Sequence, residues 1–298
     1  MKKQWGGIIM LLLAAMIWGG GFVSQTEGMK YAEPFTFQGT RFLIGSLVLL
    51  PVIAVRDRIG NAVKPVTKDR KKHHWISGLI CGLILFAACT PQQLGLKLQL
   101  PAGKSGFITS LYIILVPIFG IFLRKKVRPT IWLSVALAVF GLYMLCGMGG
   151  LSMNLGEGLT LLCAVAFSFH IMYIDHVSPG SDGVRLSCIQ FFTAGTISLI
   201  IALCFERPSI EMLRSCMIPI LYSGVCSSGI AYTLQMLAQS KTEPTTASLL
   251  MSLESVFSAL FGWLIIGQKL SPMELAGCAL VFVGVVIAQL PEKQKQLT

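Results

Sequence analysis

The feature that most constrains this chain is a series of apolar stretches, each near twenty residues long. A helix needs roughly 20 residues to cross about 30 Å of hydrocarbon. Ten stretches of this kind follow one another: 7–26, 35–55, 75–96, 102–123, 130–148, 156–177, 184–204, 215–238, 244–266 and 271–290. Only 12% of the residues are charged, about half the share in soluble domains. The sequence therefore predicts an all-α integral membrane protein with ten transmembrane helices.

The first apolar stretch also has the look of a signal peptide, because Lys2 and Lys3 precede it. No convincing cleavage motif follows it, and nine further apolar stretches do. We interpret it as the first membrane helix.

The positive charge of the chain is unevenly placed. A net charge of +11 would suggest a nucleic-acid partner in a soluble protein, but no nucleic-acid motif or aromatic interleaving accompanies it. With the N-terminus inside, seventeen of the 24 Lys and Arg fall in cytoplasmic segments and six in external ones. This bias predicts a multi-pass protein of the bacterial cytoplasmic membrane with both termini cytoplasmic.

The same bias predicts that 56–74 and 124–129 are cytoplasmic and that 147–155 is external. An alternative for the basic loop at 56–72 is binding to anionic lipid headgroups.

The chain repeats itself. A shift of 143 positions aligns eleven identical residues between 88 and 141, among them Pro101 with Pro244 and Pro129 with Pro272. The earlier helices fit a shift of 149. We infer two five-helix halves.

The predicted boundaries of these halves, and of the cytoplasmic tail that follows them, are 1–148, 156–290 and 291–298. Because five is odd, the second half enters the membrane from the opposite side. Inverted repeats of this kind are a transporter architecture. A relic of duplication in a membrane enzyme is the alternative.

A polar segment at 90–107 interrupts this apolar pattern, and a similar one returns at 233–250. Irregular backbone and amide side chains at membrane depth are tolerated where they are buried in protein or line a watery cavity. Gln92 and Gln235 are repeat partners, so we expect them to face one central cavity. The segment at 90–107 is predicted to form part of a substrate route.

Four motifs stand out in the sequence: "LAAMIWGGGFV", "GTRFLIGSL", "GFITSLYIILVPIFGIFL" and "SLLMSLESVFSALFGWLIIGQKLSPMELAGCALVFVGVVI". Through these motifs the chain resembles the drug/metabolite transporter superfamily in its EamA-type ten-helix branch. Two positions depart from the family pattern. Ser255 stands where proline is common, and Gln268 stands where an acidic residue is common.

The resemblance implies a central cavity lined mainly by helices one, three, four, six, eight and nine. It also implies export or facilitated movement of small metabolites, amino acids being common substrates. A cationic-drug efflux carrier is the alternative within this class, and a membrane enzyme or sensor is the alternative outside it.

Few polar residues lie deep inside the predicted helices, and these are the candidates for a substrate site. Glu254 is the only acid well inside a helix, where a charge costs at least about 2.5 kcal/mol and requires a partner or a proton. The substrate-binding candidates are Trp18, Gln92, Gln93, Tyr112, His170, Tyr173, Tyr232, Gln235 and Glu254. For the aromatic residues and His170, packing in the interior is the alternative. For the three glutamines, hydrogen bonds that tie helices together are the alternative. For Arg41, an ion pair, snorkelling and substrate contact stay open.

No catalytic constellation, nucleotide motif or metal-ligand spacing occurs in the sequence, so we predict no enzyme activity, cofactor or metal. The nine cysteines form no CxxC pair and are interpreted as packing residues. The predicted partners are a small-molecule substrate and the lipid bilayer. Proton coupling through Glu254 is one option, and monomer and homodimer both stay open.

Overall fold

A computed structural model describes residues 2–59, 68–124, 127–145, 154–179, 181–267 and 271–289. Within these ranges the chain is helical, with no strand. The first half contains α1 (Lys2–Gly28), α2 (Pro34–Arg58), α3 (Lys68–Lys97), α4 (Ala102–Ser110), α5 (Tyr112–Phe122) and α6 (Pro129–Leu145). Much of the predicted cytoplasmic loop at 56–74 and of the external segment at 147–155, as well as Gln268 and the tail, lie outside the described residues.

The second half begins with α7 (Leu155–Val177), α8 (Gly183–Phe205), α9 (Ile210–Ser215) and α10 (Met217–Leu221). A π-helical segment, Tyr222–Tyr232, leads into α11 (Thr233–Gln239). The chain ends with α12 (Pro244–Met251), α13 (Leu253–Ile266) and α14 (Pro272–Gln289).

Eight helical runs are long and apolar enough to cross a membrane: Trp5–Gly28, Pro34–Arg58, His74–Lys97, Ala102–Phe122, Leu155–Val177, Gly183–Phe205, Met217–Gln239 and Pro244–Ile265. The helices in the fifth and tenth predicted stretches, α6 and α14, are shorter apolar helices. The described part of the chain is therefore an all-helical membrane protein with eight candidate spans.

Local sequence signals account for where several helices begin and end. Pro34 and Pro244 occupy the first turn of α2 and α12, where the missing N–H of proline has no intrahelical partner to lose. Asn154 forms a reciprocal capping box with Glu157 at the start of α7. Gly267 ends α13 in the left-handed conformation, with φ of 72°, which glycine adopts without steric cost.

The polar segment at 90–107 is more regular than expected. The helix α3 continues through Lys97, and α4 begins at Ala102, so irregular backbone is confined to residues 98–101. Residues 98 and 99 form a turn after α3, and Gln99 takes a φ of 63°. The polar character of this stretch therefore reflects the side chains of two helices more than a break between them.

The helices pack in pairs. Contacts join α2 to α8, α3 to α7 and α8, α1 to α13, and α6 to α14. One large cluster of buried apolar side chains runs through most of these helices. Several large apolar side chains, such as Phe122 and Phe205, are instead exposed on the outside, as expected for a surface that faces lipid.

Candidate functional site

The glycine-rich stretch of α1, residues 18–21, brings three helical segments close together. The indole N–H of Trp18 donates to the carbonyl of Ser227 in the π-helical segment, at 3.2 Å. The phenol of Tyr222 donates to the Ile17 carbonyl at 3.0 Å. Gly19 faces the backbone of α13 at Phe257 so closely that a side chain there would overlap it. The helix α1 is thereby fixed between the π-helical segment and α13.

A cavity lies where these segments meet. Six of the nine predicted site residues line it: Trp18, Gln92, Tyr112, Tyr232, Gln235 and Glu254. They come from both halves of the chain. The structure thus brings most of the sequence-predicted candidates to one place, and their part in binding stays a prediction.

Two irregular turns lie beside the acidic end of this cavity. The regular α-helical pattern pauses at Leu111, between α4 and α5, and at Ser252, between α12 and α13. Both residues keep right-handed helical dihedral angles, with φ of −61° and ψ of −9° and −16°, and each run remains one candidate span. Glu254 follows the second of these turns by two residues.

Glu254 is 5% exposed and is held by two hydroxyl groups. The Tyr112 hydroxyl donates to Glu254 Oε1 at 3.0 Å, and the Ser110 hydroxyl donates to the same oxygen at 3.4 Å. No ion pair within the described ranges includes Glu254. The carboxyl group is therefore oriented by neutral donors and faces the cavity without a cationic side chain bonded to it.

Ser255, which stands at the position where the family resemblance favours proline, has a role of its own. Its hydroxyl donates to the Gly106 carbonyl at 2.8 Å and lies 2.7 Å from the Ser110 hydroxyl. The irregular turn at Ser252 forms without a proline. The hydroxyl groups of Ser248 and Ser252 bond to carbonyls three residues earlier, a pattern that serine side chains adopt within helices.

The two repeat-related glutamines both reach the cavity but are held differently. The Gln92 amide donates to the Thr109 hydroxyl at 3.1 Å. The Gln235 amide donates to Gln239 Oε1 at 2.9 Å, and Gln239 in turn donates to the Ile171 carbonyl. The side-chain oxygen of Gln235 is buried and has no hydrogen-bond partner in the described residues. A buried acceptor of this kind normally meets water or a ligand.

Aromatic rings form the wall between the polar groups. Tyr232 packs edge-on to Trp18 with ring centroids 4.7 Å apart. Its hydroxyl lies 3.6 Å from the Cys89 thiol. Phe22 and Phe167 complete this wall. The cavity therefore combines an apolar surface with a few polar groups, which is the usual composition of a small-molecule site.

Three predicted site residues lie outside the lining. His170 is buried behind Tyr232, with its Nε2 atom 3.1 Å from Gln190 Oε1. Tyr173 is half-buried beside His176. Gln93 is fully buried, and neither atom of its amide has a hydrogen-bond partner in the described part of the chain. A direct role in binding for these three stays a prediction.

Arg41 is the charged residue among the lining residues that sequence reasoning did not commit to; the others are Phe22, Gln25, Thr109, Phe167, Ile171, Ser227 and Met251. Helix two was not expected to reach the cavity, yet Arg41 lines it and is 1% exposed. The signal in the sequence was present: Arg41 is the only arginine that lies clearly inside a predicted membrane helix, since Arg185 stands at the very start of its stretch. What the sequence could not indicate is the rotation of α2 that directs this side chain inward.

The cavity is small, with a free volume of about 30 Å³. A single water molecule needs roughly 10–15 Å³ of such free volume. A solute of several heavy atoms therefore requires the lining to move apart. No group of three or more His, Cys, Asp or Glu that could hold a metal ion occurs in the described ranges.

Comparison with known proteins decides the family. The sequence profile of the EamA-like transporter family matches residues 5–147 and matches again over 154–289. The chain belongs to the EamA-like transporter family. Together with the apolar helices, this membership identifies a multi-pass membrane transporter, in agreement with the resemblance found in the sequence.

Individual relatives of this EamA-like protein carry little functional detail. An uncharacterized transporter of Archaeoglobus fulgidus is 31% identical over 94% of this chain and 84% of its own length. The uncharacterized inner membrane transporter YedA of Escherichia coli is 23% identical over 92% of this chain and 88% of its own length. A chloroplastic WAT1-related protein of Arabidopsis thaliana is 23% identical over 95% of this chain and 69% of its own length.

A solved crystal structure is similar in fold to this EamA-like chain. It superimposes with a TM-score of 0.76 over 95% of this chain and 96% of its own, at 20% identity. At this level of identity the similarity concerns the fold alone.

Proposed function

We propose that this protein is a secondary carrier that moves small organic metabolites, such as amino acids, by alternating access around the central cavity. The observation that carries the proposal is a cavity lined from both halves of the chain, with aromatic walls and a few polar groups. Export or facilitated movement is the direction we propose. Proton coupling through Glu254 belongs to the same proposal.

Alternating access follows from symmetry, and contacts between α2 and α8 support an inverted pair of repeats. Gly39 lies against the Gly195 carbonyl, and the Ser46 hydroxyl donates to the Cys188 carbonyl at 3.1 Å. Under the shift of 149, Gly39 corresponds to Cys188 and Ser46 to Gly195. The two contacts are therefore each other's image, as a two-fold axis requires.

The rings at the centre of this helix pair support the same axis. Phe42 stacks on Phe191 with centroids 6.0 Å apart and planes 6° apart. These two residues are repeat partners under the shift of 149. A residue that packs on its own repeat partner must lie close to the axis that relates the halves.

The pair α6 and α14 repeats this pattern under the shift of 143. Gly141 lies against Gly277, and Gly284 lies against Ser134, so each contact is again the image of the other. We propose that both of these shorter helices also cross the membrane, which gives ten spans. In the pairs α2–α8 and α6–α14, each helix then packs antiparallel to its own repeat partner. The two halves therefore cross the membrane in opposite directions.

Ionic contacts at one end of the α2–α8 pair suggest how that end is held closed. Arg56 pairs with Asp182 at 2.9 Å, and Arg185 pairs with both oxygens of Asp57 at 2.6 Å. At the other end, Glu206 accepts hydrogen bonds from the backbone N–H groups of Phe35 and Thr36. We propose that the halves rock about the axis and that these end contacts loosen in turn.

The orientation of the chain gives the first testable prediction. In a cysteine-free background, we expect Leu98→Cys to react with a membrane-impermeant maleimide in intact cells. Ile59→Cys should react only after permeabilisation, because the basic segment after α2 is proposed to be cytoplasmic. Leu83→Cys, on the exposed face of α3, serves as the unlabelled control within the bilayer. Labelling of Ile59→Cys in intact cells would reverse the proposed orientation.

The cavity wall gives a second prediction. Replacing Gln92 or Gln235 with leucine should lower solute flux in proteoliposomes about tenfold, because a substrate hydrogen bond in a dry site is worth roughly 1–3 kcal/mol. Gln38→Leu is the matched control. Gln38 is fully buried and donates to Thr90 and Ser198, outside the cavity. Its loss should lower stability and leave flux per folded protein unchanged.

Equal flux from all three glutamine variants would contradict the proposed cavity wall. The candidate solutes come from a thermal-shift screen of the purified protein against amino acids, sugars, nucleosides and organic cations. A ligand that binds only the folded protein raises its melting temperature. Protection by lipophilic cations alone would favour the second candidate, a cationic-drug efflux carrier, which Glu254 among aromatic rings also supports.

A further inference from the structure

Arg41 is the one residue with a cationic side chain in the lining of the cavity. It lies in α2, is 1% exposed and shares the cavity with Glu254. One face of its guanidinium rests on the Phe42 ring, with Cζ 4.5 Å from the ring centroid. The ring leaves the edge of the guanidinium, where the N–H groups lie, free to meet a planar acceptor.

Two of the three guanidinium nitrogen atoms of Arg41 are unused as hydrogen-bond donors among the described residues, and the side chain also contacts the Cys89 thiol. Its Nε and Nη2 atoms have no hydrogen-bond partner within the described ranges. None of the ion pairs formed by the described residues includes it. By contrast, Arg56 and Arg185 in the same helix pair are each bonded to a carboxylate.

A buried guanidinium without an anion is costly in a membrane protein. The cation–π contact with Phe42 recovers about 1–2 kcal/mol, less than an unpaired buried charge costs. Removing such a group should therefore not weaken the fold. An arrangement that lowers stability at a cavity is typical of a site that is completed by its ligand.

The surroundings of Arg41 select the kind of anion. A guanidinium bonds a carboxylate through two parallel N–H groups. A phosphate dianion calls for more than one cation, and Glu254 in the same cavity would repel the second negative charge. A single carboxylate is the group that matches one guanidinium in a small, mostly apolar cavity.

We propose that Arg41 is the anchor for a carboxylate group of the transported solute. This assignment rests on the proposed function, because it names a chemical feature of the solute that the same cavity carries. It gives α2 a direct part in recognition. It also separates the carrier from a cationic-drug efflux protein, whose substrates would be repelled by an unpaired guanidinium.

The test compares paired ligands on the purified full-length protein. The probes are amino acids and 2-oxo acids with small and aromatic side chains, each beside its carboxamide. We expect at least one carboxylate to raise the melting temperature by several degrees and its amide to have no effect. Arg41→Lys keeps the charge but loses the two parallel N–H donors of the guanidinium. It should lower the affinity for that carboxylate by about two orders of magnitude.

Arg41→Met and Arg56→Met separate binding from folding. Without ligand, Arg56→Met should lower the melting temperature, because it breaks the ion pair with Asp182. Arg41→Met should leave it unchanged or raise it, because it removes an unpaired charge. The same variant should lose all protection by the carboxylate.

Three outcomes would overturn the assignment: no carboxylate protects the wild-type protein, the amide protects as well as the acid, or Arg41→Met is destabilised as much as Arg56→Met. The last would make the guanidinium structural. A different result would count against the proposed function alone. If a carboxylate binds through Arg41 but never crosses the membrane of proteoliposomes, the anchor stands and the carrier function fails.

Discussion

Replacing Glu254 with glutamine should reduce transport in proteoliposomes by at least about tenfold while leaving the protein folded. Glutamine keeps the shape of the side chain, and its oxygen can still accept the hydrogen bonds from Tyr112 and Ser110. What it removes is the ability to carry a negative charge or a proton. Because buried ionisable groups in membrane proteins mark ion and substrate pathways, we expect this loss to affect flux far more than stability.

The control for this variant is Glu274→Gln. The Glu274 carboxylate also accepts a hydrogen bond near a helix start, from the Ser271 backbone N–H, and the Glu274 N–H donates to the Ser271 hydroxyl in return. Glu274 does not line the cavity. Its change should leave flux unaltered. Both variants are measured with and without a pH gradient across the liposome membrane. Full activity of Glu254→Gln with an unchanged response to the gradient would make Glu254 a structural residue and remove the proposed coupling site.

Replacing Gly19 with alanine should destabilise the protein by about 1–3 kcal/mol, the usual cost of overpacking. A methyl group at this position would overlap Phe257 Cβ and lie 2.8 Å from the backbone at Phe257 and Ser258. The helices α1 and α13 would have to separate. Because Trp18 directly precedes Gly19 in the chain, its hydrogen bond to Ser227 should also be disturbed, and with it the wall of the cavity.

Gly6→Ala is the matched control for this variant because Gly6 lies in the same helix and has open space at the position of a new methyl group. In both variants alanine replaces glycine inside a helix, and its higher helix propensity should stabilise the helix by the same amount, about 1 kcal/mol. Only Gly19→Ala adds a clash. Thermal unfolding in detergent should therefore show a lower melting temperature for Gly19→Ala and an equal or higher one for Gly6→Ala. Equal melting temperatures would mean that the helices are not held this close.

Sequence reasoning reached six residues of the cavity because polar and aromatic side chains are conspicuous in an apolar chain. It placed Gln92 and Gln235 together through the repeat, which fixes relations between positions without any structure. It did not place Arg41 there, and it assigned Gln93, His170 and Tyr173 to a site whose lining does not include them. The depth of a residue along a helix can be read from sequence, but the direction it faces depends on how neighbouring helices rotate and pack.

The sequence alone determined the class of the protein. The thickness of the hydrocarbon layer fixes how long an apolar helix must be, and backbone hydrogen bonding in lipid leaves the helix as the element for stretches of this length. Composition and repeat pattern therefore indicated a helical membrane transporter before any contact was known.

Only the tertiary structure decided the shape of the site. Beside the irregular turns at Leu111 and Ser252, the Ser255 hydroxyl bonds to the Gly106 carbonyl of a helix distant in the sequence. The π-helical segment Tyr222–Tyr232 has a regular α-helix as its repeat counterpart, so local sequence symmetry did not predict it. These features depend on close packing between helices far apart in the chain, and that packing is what leaves the Arg41 guanidinium and the Glu254 carboxyl facing one cavity.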